Sequence, residues 1–206
     1  MANPIVVDLS HHNPEPDWQA LRKGGTQGVI LKATQGVGFI DGTFLYRRNN
    51  ALEAGLYVAS YHFLEAGAVD EQMRNYLSAV DPESYERLVI DYEDCDEDTP
   101  SLDDLVAAVQ MLMDLGYETT IYGGYKLKED CDVYTPDLSG TSLWIAQYTD
   151  ASMPSWPDDQ WSAWSLWQYT DSADVVGISE PVDGNRWNGD QQNLRNWFYR
   201  PMDSYA

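Results

Sequence analysis

The sequence predicts an α/β fold, an irregular and abbreviated β/α barrel with eight strands and about five helices. Three observations lead there. Short apolar runs alternate with helix-patterned stretches over the first two-thirds of the chain, the pattern of a parallel sheet covered by helices. From about residue 140 strand-like runs continue while long helical patterns stop. A length of 206 residues is short for eight full strand–helix units, so about five such units followed mostly by strands is the arrangement that fits.

The elements follow in order. Residues 5–9 (IVVDL) read as the first strand and 18–23 as a short helical turn. The strand 28–34 (GVILKAT) precedes a helix over 43–54, which ends at Gly55, a residue suited to a left-handed cap. The strand 57–64 (YVASYHFL) precedes a helix over 69–80, and the strand 88–93 (LVIDYE) precedes the clearest helix, 101–115. There Ser101 and Asp104 form a variant capping box, Gly116 closes the helix, and Leu102, Leu105, Val106, Val109, Leu112 and Met113 keep helical spacing. Strands at 119–123 (TTIYG), 143–148 (LWIAQY), 166–170 (LWQYT) and 181–185 (PVDGN) complete the sheet, and 190–198 restores a helix. No linker-like segment interrupts the chain, so a single domain over 1–206 is expected.

Composition narrows the function. Twelve Lys+Arg against 34 Asp+Glu give a net charge of −22, which repels DNA and RNA and excludes nucleic-acid binding. No run approaches the ~20 apolar residues of a membrane helix, so no membrane insertion is expected. MANPIVVDLS lacks the features of a secretory signal, so synthesis in the cytoplasm is expected. Cys95 and Cys131 read as two free thiols rather than a disulfide framework.

The chemistry is concentrated in carboxylates. In a barrel of this kind the reactive groups sit at the carboxyl ends of the strands. Asp8 follows IVV, Asp91 and Glu93 follow LVI, and Asp183 follows a valine, so all four should converge on one mouth. Asp91 and Glu93 are two residues apart on one strand and therefore share a face, ~6–7 Å apart. Crowded carboxylates raise one another's pKa, and one of them can stay protonated as a general acid. Hydrolysis of a glycoside needs such an acid together with a second carboxylate. With Asp and Glu on one strand face, the Glu can protonate the leaving oxygen while the Asp orients the substrate's own 2-acetamido group for attack.

Seven segments carry a resemblance. DLSHHNP (8–14), GVILKATQG (28–36), YHF (61–63), IDYE (90–93), LWIAQY (143–148), LWQYT (166–170) and VGISEPVDGNRWNGD (176–190) occur in order. Together they resemble glycoside hydrolase family 25, the Chalaropsis-type lysozymes. The resemblance implies an irregular TIM-like barrel and an N-acetylmuramidase that cuts the β-1,4 bond between N-acetylmuramic acid and N-acetylglucosamine in peptidoglycan. It implies Glu93 as acid/base within a cluster of Asp8, Asp91 and Asp183, with net retention through the acetamido group or with Asp91 or Asp183 as a direct nucleophile. It implies no metal and no cofactor. The setting it suggests is a monomeric phage endolysin released through a holin, or a secreted bacterial toxin, acting on peptidoglycan glycan strands without a separate wall-binding domain.

Substrate-binding candidates are Tyr61, His62, Tyr122, Trp144, Gln168 and Lys32. Neighbours on a strand alternate, so one of Tyr61 and His62 faces inward and the other packs under a helix. Lys32 shares a face with Ile30 and Thr34 by the same parity, either snorkelling outward or countering carboxylate charge inside. Tyr122 is placed to hydrogen-bond an acetamido carbonyl. Seven of the eight tryptophans lie at or beyond Trp144, and buried core is their default, with Trp144 the one assigned to sugar contact. His11 and His12 lack a third metal ligand and suit a cleft rim. Asp94-x-Asp96-x-Asp98 imitates a calcium loop without its glycine or closing Glu, and reads as a solvated loop. Other readings are a chitinase-like hydrolase, against which Val89 stands two before Asp91 where a longer acidic run is usual, and a glycan-binding barrel that has lost its acid.

Overall fold

The computed structural model describes residues 3–83 and 86–199. In chain order it comprises β1 (Val6–Leu9), α1 (Trp18–Lys23), β2 (Gly28–Gln35), β3 (Phe39–Ile40), α2 (Phe44–Glu53), β4 (Tyr57–Phe63), α3 (Val69–Val80), β5 (Arg87–Tyr92), α4 (Leu102–Asp114), β6 (Glu118–Gly123), α5 (Tyr125–Val133), β7 (Ser142–Ala146), β8 (Leu166–Ala173), β9 (Val182–Trp187) and α6 (Gln191–Phe198). The strands run β1-β9-β8-β7-β6-β5-β4-β2, and β1 pairs with β2 to close an eight-stranded barrel, with β3 hanging from β2 as a hairpin. All eight barrel strands are parallel except β9, which is antiparallel to both neighbours.

Alternation along each strand sorts the core into two. Val7, Leu9, Leu88, Ile90, Tyr92, Ile121 and Ile145 point outward and pack under the helices. Val6, Ile30, Ala59, Val89, Tyr122, Trp144 and Leu166 point inward. Helix α6 joins the inner set: its Leu194, Trp197 and Phe198 plug the barrel at the end where the parallel strands begin. Arg87, at the start of β5, ties that plug in place by donating to the Trp197 carbonyl, and it also reaches Thr120 and Ser142. Fully burying three large apolar side chains is worth roughly 5–9 kcal/mol before ordering is subtracted.

The Ser101–Asp104 capping box is present in both directions. Gly55 and Gly116 take positive φ (78° and 87°) just past α2 and α4, where a side chain would be strained. Met113 departs from its expected role, lying 36% exposed while Ala108 takes its place in the buried stripe.

Two elements go beyond the expected set. Helix α5 was not foreseen, because YKLKEDCDV buries only Leu127 and Cys131, one apolar contact per turn. The β3 hairpin is two residues long, too short for a periodic signal.

Candidate active site

The barrel mouth holds a cavity of about 280 Å³ lined by Asp8, Ser10, His12, Lys32, Tyr61, Phe63, Asp91, Glu93, Tyr122, Trp144, Tyr148, Gln168 and Asp183. Nine of the ten candidate residues are therefore brought together, and His62 is left out. Parity on β5 explains Asp91: it follows Val89 inward, while Leu88, Ile90 and Tyr92 anchor the strand from outside. Asp183 reaches the mouth by another route. Because β9 runs antiparallel, Asp183 lies at the amino end of its strand, not the carboxyl end, and pairs across from Asp8.

His62 is fully buried under α3, with Nδ1 2.8 Å from the Thr34 hydroxyl and Nε2 3.1 Å from Gln72 Oε1. Gln72 Oε1 accepts, so Nε2 carries the proton and Nδ1 accepts from Thr34. Burial pushes His62 down to about 4, which keeps the ring neutral and structural. The shared face of Lys32 and Thr34 also fails. A β-bulge between them shifts the register, so Lys32 pairs with Tyr61 and stays inside while Thr34 pairs with His62 outside.

The carboxylates differ in environment. Asp8 accepts from Asn185 Nδ2 at 2.7 Å and from Gln168 Nε2 at 3.2 and 3.3 Å. Burial, then the charge of Asp183, hold its pKa well above the usual range, against the pull of those amides. Burial raises Asp183 too, while the side chain of Asp8 beside it draws it back. Asp91 is 7% exposed and raised well above its ordinary value by burial, then by Glu93, against the opposing charge of Lys32. Its Oδ1 is the one buried side-chain polar atom without a hydrogen-bond partner among the described residues. Glu93 is raised by burial, then by the charges of Asp183 and Asp94, against the opposing pull of the Tyr122 hydroxyl and of Lys32.

Among the described residues, Lys32 is the only lysine or arginine on the cavity wall. Its Nζ donates to Gln35 Oε1 at 2.7 Å and lies 4.9 Å from the Phe63 ring centre. Burial lowers its pKa, and Asp91 is the first charge to oppose that. Tyr122 and Tyr148 donate their hydroxyls to Gln168 Oε1 at 2.9 and 2.8 Å, so the Tyr122 proton is engaged by protein rather than presented to open space. Trp144 is 2% exposed with its indole N–H on Asn185 Oδ1 at 2.7 Å, which makes it cavity floor rather than an open stacking platform. Ser10, Phe63 and Tyr148 were missed; Phe63 was within reach, since it follows Tyr61 by two on β4. Of the two histidines expected at the rim, His12 lines the cavity, while His11 does not and has Nδ1 3.0 Å from Asp41 Oδ2.

A family model described as "Glycosyl hydrolases family 25" matches residues 7–178. The chain belongs to this family. It is a glycoside hydrolase, and lysozymes are among its relatives. This family 25 chain is 27% identical to "Uncharacterized protein YegX" of Escherichia coli K12 over 92% of its own length and 71% of that protein. It is 25% identical to "Lysozyme M1" of Streptomyces globisporus, covering 91% and 69% of the two chains. In fold it is similar to the bacterial lysozyme from Streptomyces coelicolor, with a TM-score of 0.81 at 22% identity over 96% and 98% of the two chains. A family 25 glycosyl hydrolase from Bacillus anthracis gives 0.78 at 24% identity, over 93% and 92%.

Proposed function

We propose that the protein is an N-acetylmuramidase that hydrolyses the β-1,4 bond between N-acetylmuramic acid and N-acetylglucosamine with net retention by substrate-assisted catalysis. The observation that carries this reading is the cavity that Asp91 and Glu93 line together, with Asp91 Oδ1 left as a buried acceptor without a partner. An unmet buried acceptor costs about 1–3 kcal/mol, and an amide N–H from the substrate relieves it. A 2-acetamido group supplies such an N–H.

In the first step Glu93 gives its proton to the glycosidic oxygen as the C1–O bond breaks. The acetamido carbonyl oxygen, steered through its N–H by Asp91, bonds to C1 from the opposite face and forms a cyclic oxazolinium ion. Glu93, now ionised, takes a proton from water, whose oxygen attacks C1 and reopens the ring. Two inversions give retention. The raised pKa of Glu93 suits the first step, because an acid must still hold its proton near neutral pH.

The test uses purified peptidoglycan and the same glycan after chemical de-N-acetylation. Release of soluble fragments from the first, with muramic acid at the new reducing end by mass spectrometry, and loss of cleavage on the second are expected. Cleavage of both at equal rates would favour Asp91 as a direct nucleophile. Glu93→Gln is expected to reduce lysis by about 10²–10⁴-fold, the usual contribution of a general acid. Lysis unaffected by that change would overturn the assignment.

A further inference from the structure

A second cavity lies beside the barrel mouth, at the carboxyl ends of β5 and β6. It has a volume of about 260 Å³ and is lined by Tyr92, Glu93, Asp94, Gly124, Tyr125 and Lys126. Among the described residues, Glu93 alone lines both this cavity and the one that holds Asp91, so its side chain borders the two. Helix α5 builds the far wall. Tyr125 opens that helix and is 73% exposed, yet its ring is tethered: the hydroxyl donates to Glu129 Oε1 at 2.5 Å, one turn further on. Gly124 adds no side chain to the space beside it. Lys126 is already paired, with Nζ 2.8 Å from Asp130 Oδ2 and 4.6 Å from the Tyr92 ring centre. Tyr92 donates to the same Asp130 oxygen at 2.6 Å. Asp94 is exposed and offers acceptor oxygens. An aromatic face, carboxylate acceptors and a cation already paired suit a neutral ligand rich in hydroxyls, a sugar with its C–H face on the ring.

We propose that this second cavity binds the sugar that leaves, with Tyr125 as its platform. Asp91 steers the acetamido group of the sugar whose C1 is attacked, which puts that sugar in the first cavity. Glu93 protonates the oxygen that joins it to the next sugar, so that oxygen lies at Glu93 and the next sugar lies beyond. The space that Glu93 borders away from Asp91 is the second cavity. The charges agree with this order. N-acetylglucosamine, which is neutral, falls beside the paired Lys126, while muramic acid with its lactyl carboxyl group falls on the side of Lys32.

This rests on Glu93 being the acid, and the experiment separates the two. The probe is a soluble tetrasaccharide of alternating N-acetylglucosamine and N-acetylmuramic acid, with N-acetylmuramic acid at the reducing end, bound to the Glu93→Gln protein. In a crystal of that complex the third sugar, an N-acetylglucosamine, is expected on the Tyr125 ring. A glycan that leaves the second cavity empty would overturn the proposal, and with lysis abolished by Glu93→Gln it would leave the acid assignment intact. Lysis unaffected by Glu93→Gln would overturn both at once. Calorimetry gives a second measure. Adding Tyr125→Ala to the Glu93→Gln protein is expected to raise the Kd for the tetrasaccharide about five- to tenfold, the size of one aromatic contact. Tyr125 is exposed, so its truncation leaves the core packed. An unchanged Kd would overturn the proposal.

Discussion

Asp91→Asn should make the protein more stable while removing its activity, and the gain should depend on pH in a set direction. Asp91 is buried, faces three other carboxylates across the cavity and leaves Oδ1 unpaired. Its pKa is raised in the native state, so its contribution to stability is fully present below the unfolded value of about 3.9 and is lost as pH rises through the native value. At pH 7.5, far above the unfolded value, the wild type therefore carries a penalty that is absent near pH 4. Asn is nearly the same shape, has no charge, and brings an N–H₂ that the neighbouring carboxylates can accept. Relieving one unmet buried acceptor gives about 2 kcal/mol. For a chain of 206 residues that is about 4–8 °C in Tm. Calorimetry and urea unfolding at pH 7.5 and pH 4 would read it, with the difference between the two proteins shrinking toward zero at the lower pH. A gain equal at both pH values, or a loss at pH 7.5, would refute the reasoning that charge and an unmet acceptor, rather than shape, define this position.

Three further outcomes are expected. Gly28→Ala should cost about 1–3 kcal/mol in urea unfolding, because a Cβ there would lie 2.4 Å from the Phe198 ring in the barrel plug; an unchanged midpoint would count against that packing. His62 is held neutral and down at about 4, so its contribution is present above pH 6.5 and lost as pH falls toward 4. His62→Gln should flatten the stability loss in that window, seen as Tm against pH, and an equally steep profile would contradict it. With a net charge of −22, lysis of an anionic wall should speed up as salt rises to about 0.15 M, where the Debye length is about 8 Å; a rate that only falls with salt would contradict the repulsion argument.

Much of this was readable in LVIDYE because a strand with both faces buried has only one parity to offer. Once Leu88 and Ile90 belong under helices, Asp91 must face the interior, and Glu93 follows. The same rule failed at Thr34 because a bulge inserts a residue without altering the apolar pattern. Strand direction is equally silent: VDGN reads alike whichever way β9 runs, so Asp183 was placed at the mouth through the wrong end of its strand. Tyr148 lies just past β7, where periodicity ends and only the closed barrel decides what turns inward. The role of α6 was hidden for a different reason. Leu194, Trp197 and Phe198 keep ordinary helical spacing, and nothing in that spacing distinguishes a plug from a cover.

The reversal of β9 also settles which side of the molecule is free for attachment. The chain near Asn3 is held beside Gly24, below the start of β2, and Tyr199 pairs with Glu86 below the start of β5. Both described ends thus lie on the face opposite the cleft, because the last strand travels back down before α6 crosses beneath the barrel. A binding module joined directly at Asn3 or Tyr199 would begin on the far side and leave the approach of a long polymer to the mouth unobstructed. Orientation on a solid support through Asn3 or Tyr199 would likewise present the cleft outward.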